Sequence, residues 1–244
     1  MKKPSHQVIK IGGSILTQSV SYSQVADVIL SSKDFPLVIV VSAMAGVTDQ
    51  LIQTAKSSGI YNNEYIDEIL ASGEIISTKI MSLTFKSRKV DAIGITPLDD
   101  GWPIVTNSNF GDAMPILDLC TQNLKRLFHK TAKFDIVVLS GFLGLDLEGK
   151  ITTLGRGGSD TTAVLIGHCM NWPVHLMKTA ATFKAFREEI ANKFKNPMTI
   201  KELKKLLVYY PGFICEKALR YIEPKDNVKI STLAEAFNGV RIHF

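Results

Sequence analysis

No apolar run in this 244-residue chain approaches the roughly 20 residues that a membrane-spanning helix needs. No leader is expected either. The basic start Met1-Lys2-Lys3 is followed only by the apolar residues Val8 to Ile11, too few for a signal-peptide core, so a soluble, cytoplasmic protein with no membrane partner is expected. Cysteine is scarce: Cys120, Cys169 and Cys215 stand far apart, in no CxxC or metal-ligand spacing, and read as free buried thiols. No metal cage is visible, no internal repeat recurs and no low-complexity linker interrupts the chain. Charge of one sign is nearly balanced. The formal excess of +5 is what a solvated surface carries, and Lys201, Lys204 and Lys205 read as one helix face, so a nucleic-acid partner is not indicated.

What is present is enough apolar material for an enzyme-sized core, with 45% hydrophobic and 21% charged residues. Short β-branched runs alternate with longer helical patterns, which is the rhythm of a parallel sheet covered by helices. The spacing predicts strands at Val8–Ile11, Leu37–Val41, Val90–Ile95, Ile136–Leu139 and Val174–Met177. Helices are predicted at Ser23–Ser32, Thr48–Ser58, Glu64–Phe85, Gly111–His129 and Ser159–Cys169. A boundary near Asn171-Trp172-Pro173 separates a motif-rich first part from a Lys-rich tail within one domain spanning 1–244.

In open α/β sheets ligands bind at the carboxyl ends of the strands, and three loops of this chain stand there. Lys10-Ile11-Gly12-Gly13-Ser14 sets a cation beside glycines whose backbone can approach a phosphate, although a plain tight turn needs the same glycines. It fits neither the GxxxxGK[ST] nor the GxGxxG nucleotide motif. Ser42-Ala43-Met44-Ala45-Gly46-Val47-Thr48 ends where a helix begins. Ser42 and Thr48 are candidate contacts to an anion there, with Thr48 alternatively the N-cap. Ser140-Gly141-Phe142 closes the fourth strand.

The richest segment is Thr152-Thr153-Leu154-Gly155-Arg156-Gly157-Gly158-Ser159-Asp160-Thr161-Thr162-Ala163. Arg156 suits a substrate carboxylate, Gly157 and Gly158 allow close backbone approach, and Ser159 starts a helix whose dipole favours Asp160. An Arg156–Asp160 pair with a helix cap would account for part of it. Glu74 follows a glycine that interrupts a helix; it either faces solvent or accepts from a ligand ammonium.

In this order the loops Val8–Ser14, Val40–Thr48, Ser72-Gly73-Glu74 and Ile151–Ala163 resemble the aspartokinase catalytic domain of the amino acid kinase superfamily, over about residues 7–170. The resemblance implies an αβα sandwich with a mainly parallel central sheet covered by helices on both faces. It implies transfer of phosphate from ATP, with Mg²⁺, to the side-chain carboxylate of L-aspartate. Lys10 and Asp160 would be catalytic. Ser42, Thr48, Glu74, Arg156, Gly157 and Ser159 would hold aspartate, while Gly12, Gly13 and Ser14 would cradle phosphate. Residues 171–244 would form a divergent nucleotide-binding lobe.

That lobe departs from the family pattern. A Thr-Asp-Val-Asp-Gly-like loop is replaced by Lys178-Thr179-Ala180-Ala181-Thr182-Phe183-Lys184, and glycine at 212 aligns with a phosphate-contacting lysine, Lys217 lying about a turn beyond. Lys178, Thr179 and Lys184 are candidate nucleotide contacts, or ordinary exposed residues. A homodimer is the family-level expectation. No regulatory domain sensing lysine or threonine fits before Phe244, so feedback control would need a separate chain. Alternatives are a kinase for another small carboxylate, or a degenerate kinase acting as an aspartate-binding regulatory subunit.

Overall fold

The computed structural model describes residues 6–17, 22–31, 37–181, 184, 198–210, 213–233 and 240–243. Its strands are β1 (Gln7–Ile11), β2 (Leu37–Val41), β3 (Ala92–Ile95), β4 (Ile136–Ser140), β5 (Leu143–Leu145), β6 (Ile151–Thr153), β7 (Val174–Lys178), β8 (Met198–Thr199), β9 (Val228–Thr232) and β10 (Val240–His243). The helices that matter here are α1 (Tyr22–Ser31), α2 (Val47–Ser57), α3 (Asn63–Lys86), α4 (Leu117–Lys130), α5 (Gly158–Met170) and α6 (Ile200–Leu207). A 3-10 turn covers Ala218–Tyr221.

Eight strands form one sheet in the order β3-β4-β2-β1-β7-β9-β10-β8. All neighbours are parallel except β9 and β10. Strands such as β2 and β4 are buried along their whole length, as continuous Val/Ile/Leu runs require when helices cover both faces. Alternate side chains divide between two cores. Val8, Val38, Val40, Leu139 and Leu176 pack toward α4 and α5, whereas Ile9, Ile11, Ile39, Val41 and Val138 pack toward α1 and α3. The five strands and five helices expected from periodicity are present, with ends shifted by a residue or two except at the start of α4.

One boundary is corrected. The expected helix Gly111–His129 begins only at Leu117, because Gly111 adopts φ 85°, Pro115 bridges to Thr106 and the Gly111 amide is held by Asp67. The hairpin β5–β6 and strands β8, β9 and β10 were not anticipated. Lys201, Lys204 and Lys205 do share the exposed side of α6, opposite buried Leu203 and Leu206.

The order reverses at β1: the chain builds outward through β2, β4 and β3 on one side and through β7 and β9 on the other. A crevice at the carboxyl ends of β1 and its neighbours is where such sheets bind ligands.

Candidate active site

At the end of β1, an added Cβ on Gly13 would lie 2.4 Å from the Ala43 carbonyl oxygen. Only glycine therefore allows the β1 loop to touch the β2 loop. The Ala45 amide donates to Leu16 O at 3.1 Å and joins the same two loops. Over Gly12 lies the Lys10 ammonium, 3.1 Å from where a Cβ would be. A turn also forms, Ile15 N–H donating to Gly12 O at 3.0 Å. The tight-turn reading of this loop is thus realised, with the Lys10 ammonium over it, and Ser14 is exposed beside it.

The β2 loop leads into α2, whose N-cap is Gly46 at φ 80° with no side-chain cap. Thr48 is consequently not the cap; it is the second helical residue and is half-buried. Ser42, also half-buried, is held by its backbone, accepting from Ser77 Oγ at 2.7 Å and donating to Ile11 O at 3.1 Å.

Glu74 approaches the same loop from α3. It is buried, at 3% exposure, and one oxygen accepts the Ala43 N–H at 3.1 Å. The other, Oε2, is buried without a partner among the described residues. Burial raises its pKa to about 7. The solvent-facing reading of Glu74 is therefore overturned. Gly73 explains the closeness: a Cβ there would stand 2.9 Å from Ala43 Cβ and 3.2 Å from Val47 Cγ1.

The glycine-rich loop after β6 closes the opposite wall. Gly155 and Gly157 adopt φ 74° and 70°, conformations that L side chains rarely hold. Gly157 is the N-cap of α5, so Ser159 follows the helix start by one residue. Ser159 lies against Gly141, where an added Cβ would come within 2.6 Å of Ser159 Cβ. Arg156 is exposed and does not pair with Asp160. The Arg–Asp pairing considered from sequence is replaced by a different one.

Asp160, only 3% exposed, is gripped by two lysines. Lys10 Nζ stands 2.7 Å from Oδ1 and Lys178 Nζ stands 2.9 Å from Oδ2. The Cys215 N–H also donates to Oδ2, at 3.3 Å. Burial alone would raise the Asp160 pKa, but the two ammonium charges outweigh it and hold the carboxyl well below the usual carboxylate range.

The remaining candidates separate. Lys178 is buried rather than an ordinary surface lysine, Thr179 is half-buried just beyond β7 and Lys184 is exposed. Position 212 lies outside the described residues. Lys217 pairs with Asp112 and donates to Leu154 O at 2.8 Å and Ala113 O at 3.3 Å, so it staples loops together.

Two residues escaped sequence reasoning. Asp67 takes the Thr153 N–H (2.8 Å), the Thr153 hydroxyl (2.7 Å) and the Gly111 N–H (2.8 Å), fixing the base of the glycine-rich loop. Its signal was available, since it sits seven residues before Glu74 on the buried stripe of α3. Phe142 adopts φ 68°, packs where a Cβ on Gly158 would intrude, and carries no sequence signal for that conformation. Among the described residues, no group of three or more His, Cys, Asp or Glu could hold a metal ion, and no helix is long and apolar enough to cross a membrane.

A model of the amino acid kinase family matches residues 6–177. The chain belongs to the amino acid kinase family. It is 37% identical over 162 residues to the aspartokinase of Helicobacter pylori (strain J99 / ATCC 700824), a match covering 65% of this chain and 38% of that relative. Against the aspartokinase of Bacillus sp. (strain MGA3) it is 35% identical over 164 residues, with the same coverage of 65% and 38%. The similarity thus spans well under half the length of these curated relatives.

Among solved structures, E. coli aspartokinase III in complex with aspartate and ADP superposes with a TM-score of 0.79 at 19% identity, covering 96% of this chain and 64% of that one. Uridylate kinase from Archaeoglobus fulgidus superposes at 0.63 and 14% identity, covering 97% and 98%. At these identities the likeness shows the shared amino acid kinase fold, which does not by itself select the acceptor.

Proposed function

We propose that this chain is an aspartate kinase, transferring the γ-phosphoryl group of Mg-ATP to the side-chain carboxylate of L-aspartate. The observation that carries the reading is the buried Lys10–Asp160 pair, 2.7 Å apart, at the crevice between two glycine loops. The aspartokinase names of the sequence relatives support the acceptor, as does the aspartate and ADP complex of a structural neighbour.

In this reading the aspartate carboxylate oxygen attacks the γ-phosphorus, the bond from that phosphorus to the β-phosphate oxygen breaks, and ADP leaves with the electron pair. The nucleophile has an ordinary pKa near 4 and is already ionised, so no general base is required. Positioning and cationic stabilisation of a loose transition state carry the rate. Lys10 stabilises the transferred group, Gly12, Gly13 and Ser14 approach its oxygens, and Asp160 orients Lys10. Arg156 takes the α-carboxylate of the amino acid with Gly157 and Ser159, while Ser42 and Thr48 line the α2 side. The unpartnered Glu74 oxygen receives the ammonium. Mg²⁺ would be carried by the ATP phosphates, where it would supply charge neutralisation.

Incubation with aspartate, Mg-ATP and hydroxylamine tests this directly. The expected product is aspartyl hydroxamate with ADP release. Hydroxamate no higher than in a Lys10→Met control would overturn the reading. Hydroxamate formed from another carboxylate but not from aspartate would keep the chemistry and replace the acceptor.

A further inference from the structure

The pairing of Asp160 with two lysines contains more charge than the fold needs. Lys10 alone neutralises the carboxylate; adding Lys178 leaves one surplus positive charge in a buried cluster where Lys10, Asp160 and Lys178 are 7%, 3% and 8% exposed. Burying an uncompensated cation is unfavourable unless an anion answers it. A second lysine retained at such a place has the chemistry of a seat for an anionic ligand.

The register shows how it gets there. Lys10 is level with Leu176 in the parallel β1–β7 pair. Lys178, two residues further along β7, therefore projects from the same face of the sheet as Lys10, toward α5. With strands about 4.8 Å apart and a rise of about 3.3 Å per residue, the two Cα atoms lie roughly 8 Å apart. Their long side chains converge on opposite oxygens of Asp160, at 2.7 and 2.9 Å.

The other described cations do not join the Asp160 cluster. Lys217 is bound to Asp112, Ala113 O and Leu154 O, and Lys184 and Arg156 are exposed. Burial, with Lys10 beside it and Asp160 opposing, draws the Lys178 ammonium below its ordinary pKa. That is the response of a cation short of negative partners.

We propose that Lys178 is the second phosphate-contacting cation of this enzyme, rooted on β7, and that Asp160 holds both ammonium groups in place until the nucleotide phosphates enter. The proposal rests on the ATP-dependent reading above. When the polyphosphate arrives, Lys178 turns its free N–H donors to a phosphate oxygen while keeping its bond to Asp160, and Lys10 faces the transferred group. The family match ends at residue 177, immediately before this lysine.

The test compares wild type, Lys178→Met and Lys178→Arg in steady-state kinetics and in calorimetric titration with Mg-ADP and with aspartate. Expected for Lys178→Met is a kcat lower by on the order of 10²–10³-fold, weaker Mg-ADP binding and an aspartate affinity within about threefold of wild type. Lys178→Arg should recover at least tenfold of that loss. A kcat and Mg-ADP affinity within threefold of wild type in Lys178→Met would overturn the proposal, as would equal loss in both variants with cooperative melting intact. If Lys178→Met does not fold, Lys178→Gln is measured against the same limits.

Failure of the parent reading looks different. Wild type would then yield no hydroxamate from aspartate, and the proposal would still stand or fall on whether Lys178→Met weakens Mg-ADP binding.

Discussion

Two buried carboxylates face the crevice from opposite walls, and they end in opposite states. Glu74 and Asp160 are each 3% exposed. Among the described residues, Glu74 has one backbone donor and no cation within pairing distance, and burial lifts its pKa to about 7. Around Asp160 the same burial is overcome by Lys10 and Lys178, and the group stays ionised. Burial therefore does not fix the charge of a site; the number of cations brought to it does. The Asp160 wall is a permanent electrostatic fixture, whereas the Glu74 wall would gain its full charge only on meeting a cation, such as the ammonium of the proposed substrate.

Removing the fixture should have the largest effect. Asp160→Ala leaves two buried ammonium groups facing each other, and loss of one partner from a buried ionic cluster costs about 3–5 kcal/mol. Thermal melting should show a large drop in Tm together with loss of turnover; a Tm within 2 °C would mean that the cluster is wetter than described. Lys10→Met comes next. It should fold, keep aspartate binding and lose on the order of 10²–10³ in kcat, measured by coupled ADP release.

The contrast between the walls also predicts opposite pH behaviour. Asp160 has a folded pKa below its ordinary 3.8, so its stabilisation is present above that value and is lost as pH falls through the acid range. Glu74 is raised from 4.5 to about 7, so its contribution is greatest below pH 4.5 and declines as pH rises through about 7. Denaturant midpoints across pH for Glu74→Gln and Asp160→Asn should separate the two trends.

In kinetics, the KM for aspartate should fall as pH rises from 6 to 8, because only ionised Glu74 attracts the substrate ammonium. Glu74→Gln should flatten that profile and raise KM by roughly 10–100-fold, the worth of a charge-assisted contact. An unchanged profile would assign the titration to another group. The smallest effect is expected at Cys215, whose thiol donates to Arg156 O at 3.0 Å. Cys215→Ala removes that bond but keeps the N–H to Asp160, so kcat should stay within about threefold and stability within about 1 kcal/mol.

The two walls were not equally legible in the sequence. Lys10, Gly12, Gly13 and the Gly155–Asp160 run lie in contiguous motifs after strands, and a strand-loop-helix rhythm places such motifs at one edge of the sheet. That Glu74 is buried was not legible: the helical stripe places it inward, but only Gly73 packing on Ala43 and Val47 shows how little room for water remains. Lys178 was harder still, since a lysine ending a strand looks like any exposed lysine until β7 is set beside β1 in register. Phe142 and Asp67 act through a left-handed backbone and through bonds across 86 residues of sequence, which no local pattern encodes. The late strands β8, β9 and β10 are short and mixed with Lys, Ser, Thr and His, so their alternation is weak.

The register that sets Lys178 beside Lys10 has a consequence for tracing relatives of this chain. A lysine side chain is long enough that its terminal charge can be rooted on any of several neighbouring backbones and still arrive at one point. A loop can then lose every residue that marks its role while the electrostatic field at the reacting atoms is kept. Comparison by the position of charges in space, rather than by residues along the chain, is the search that would find such enzymes.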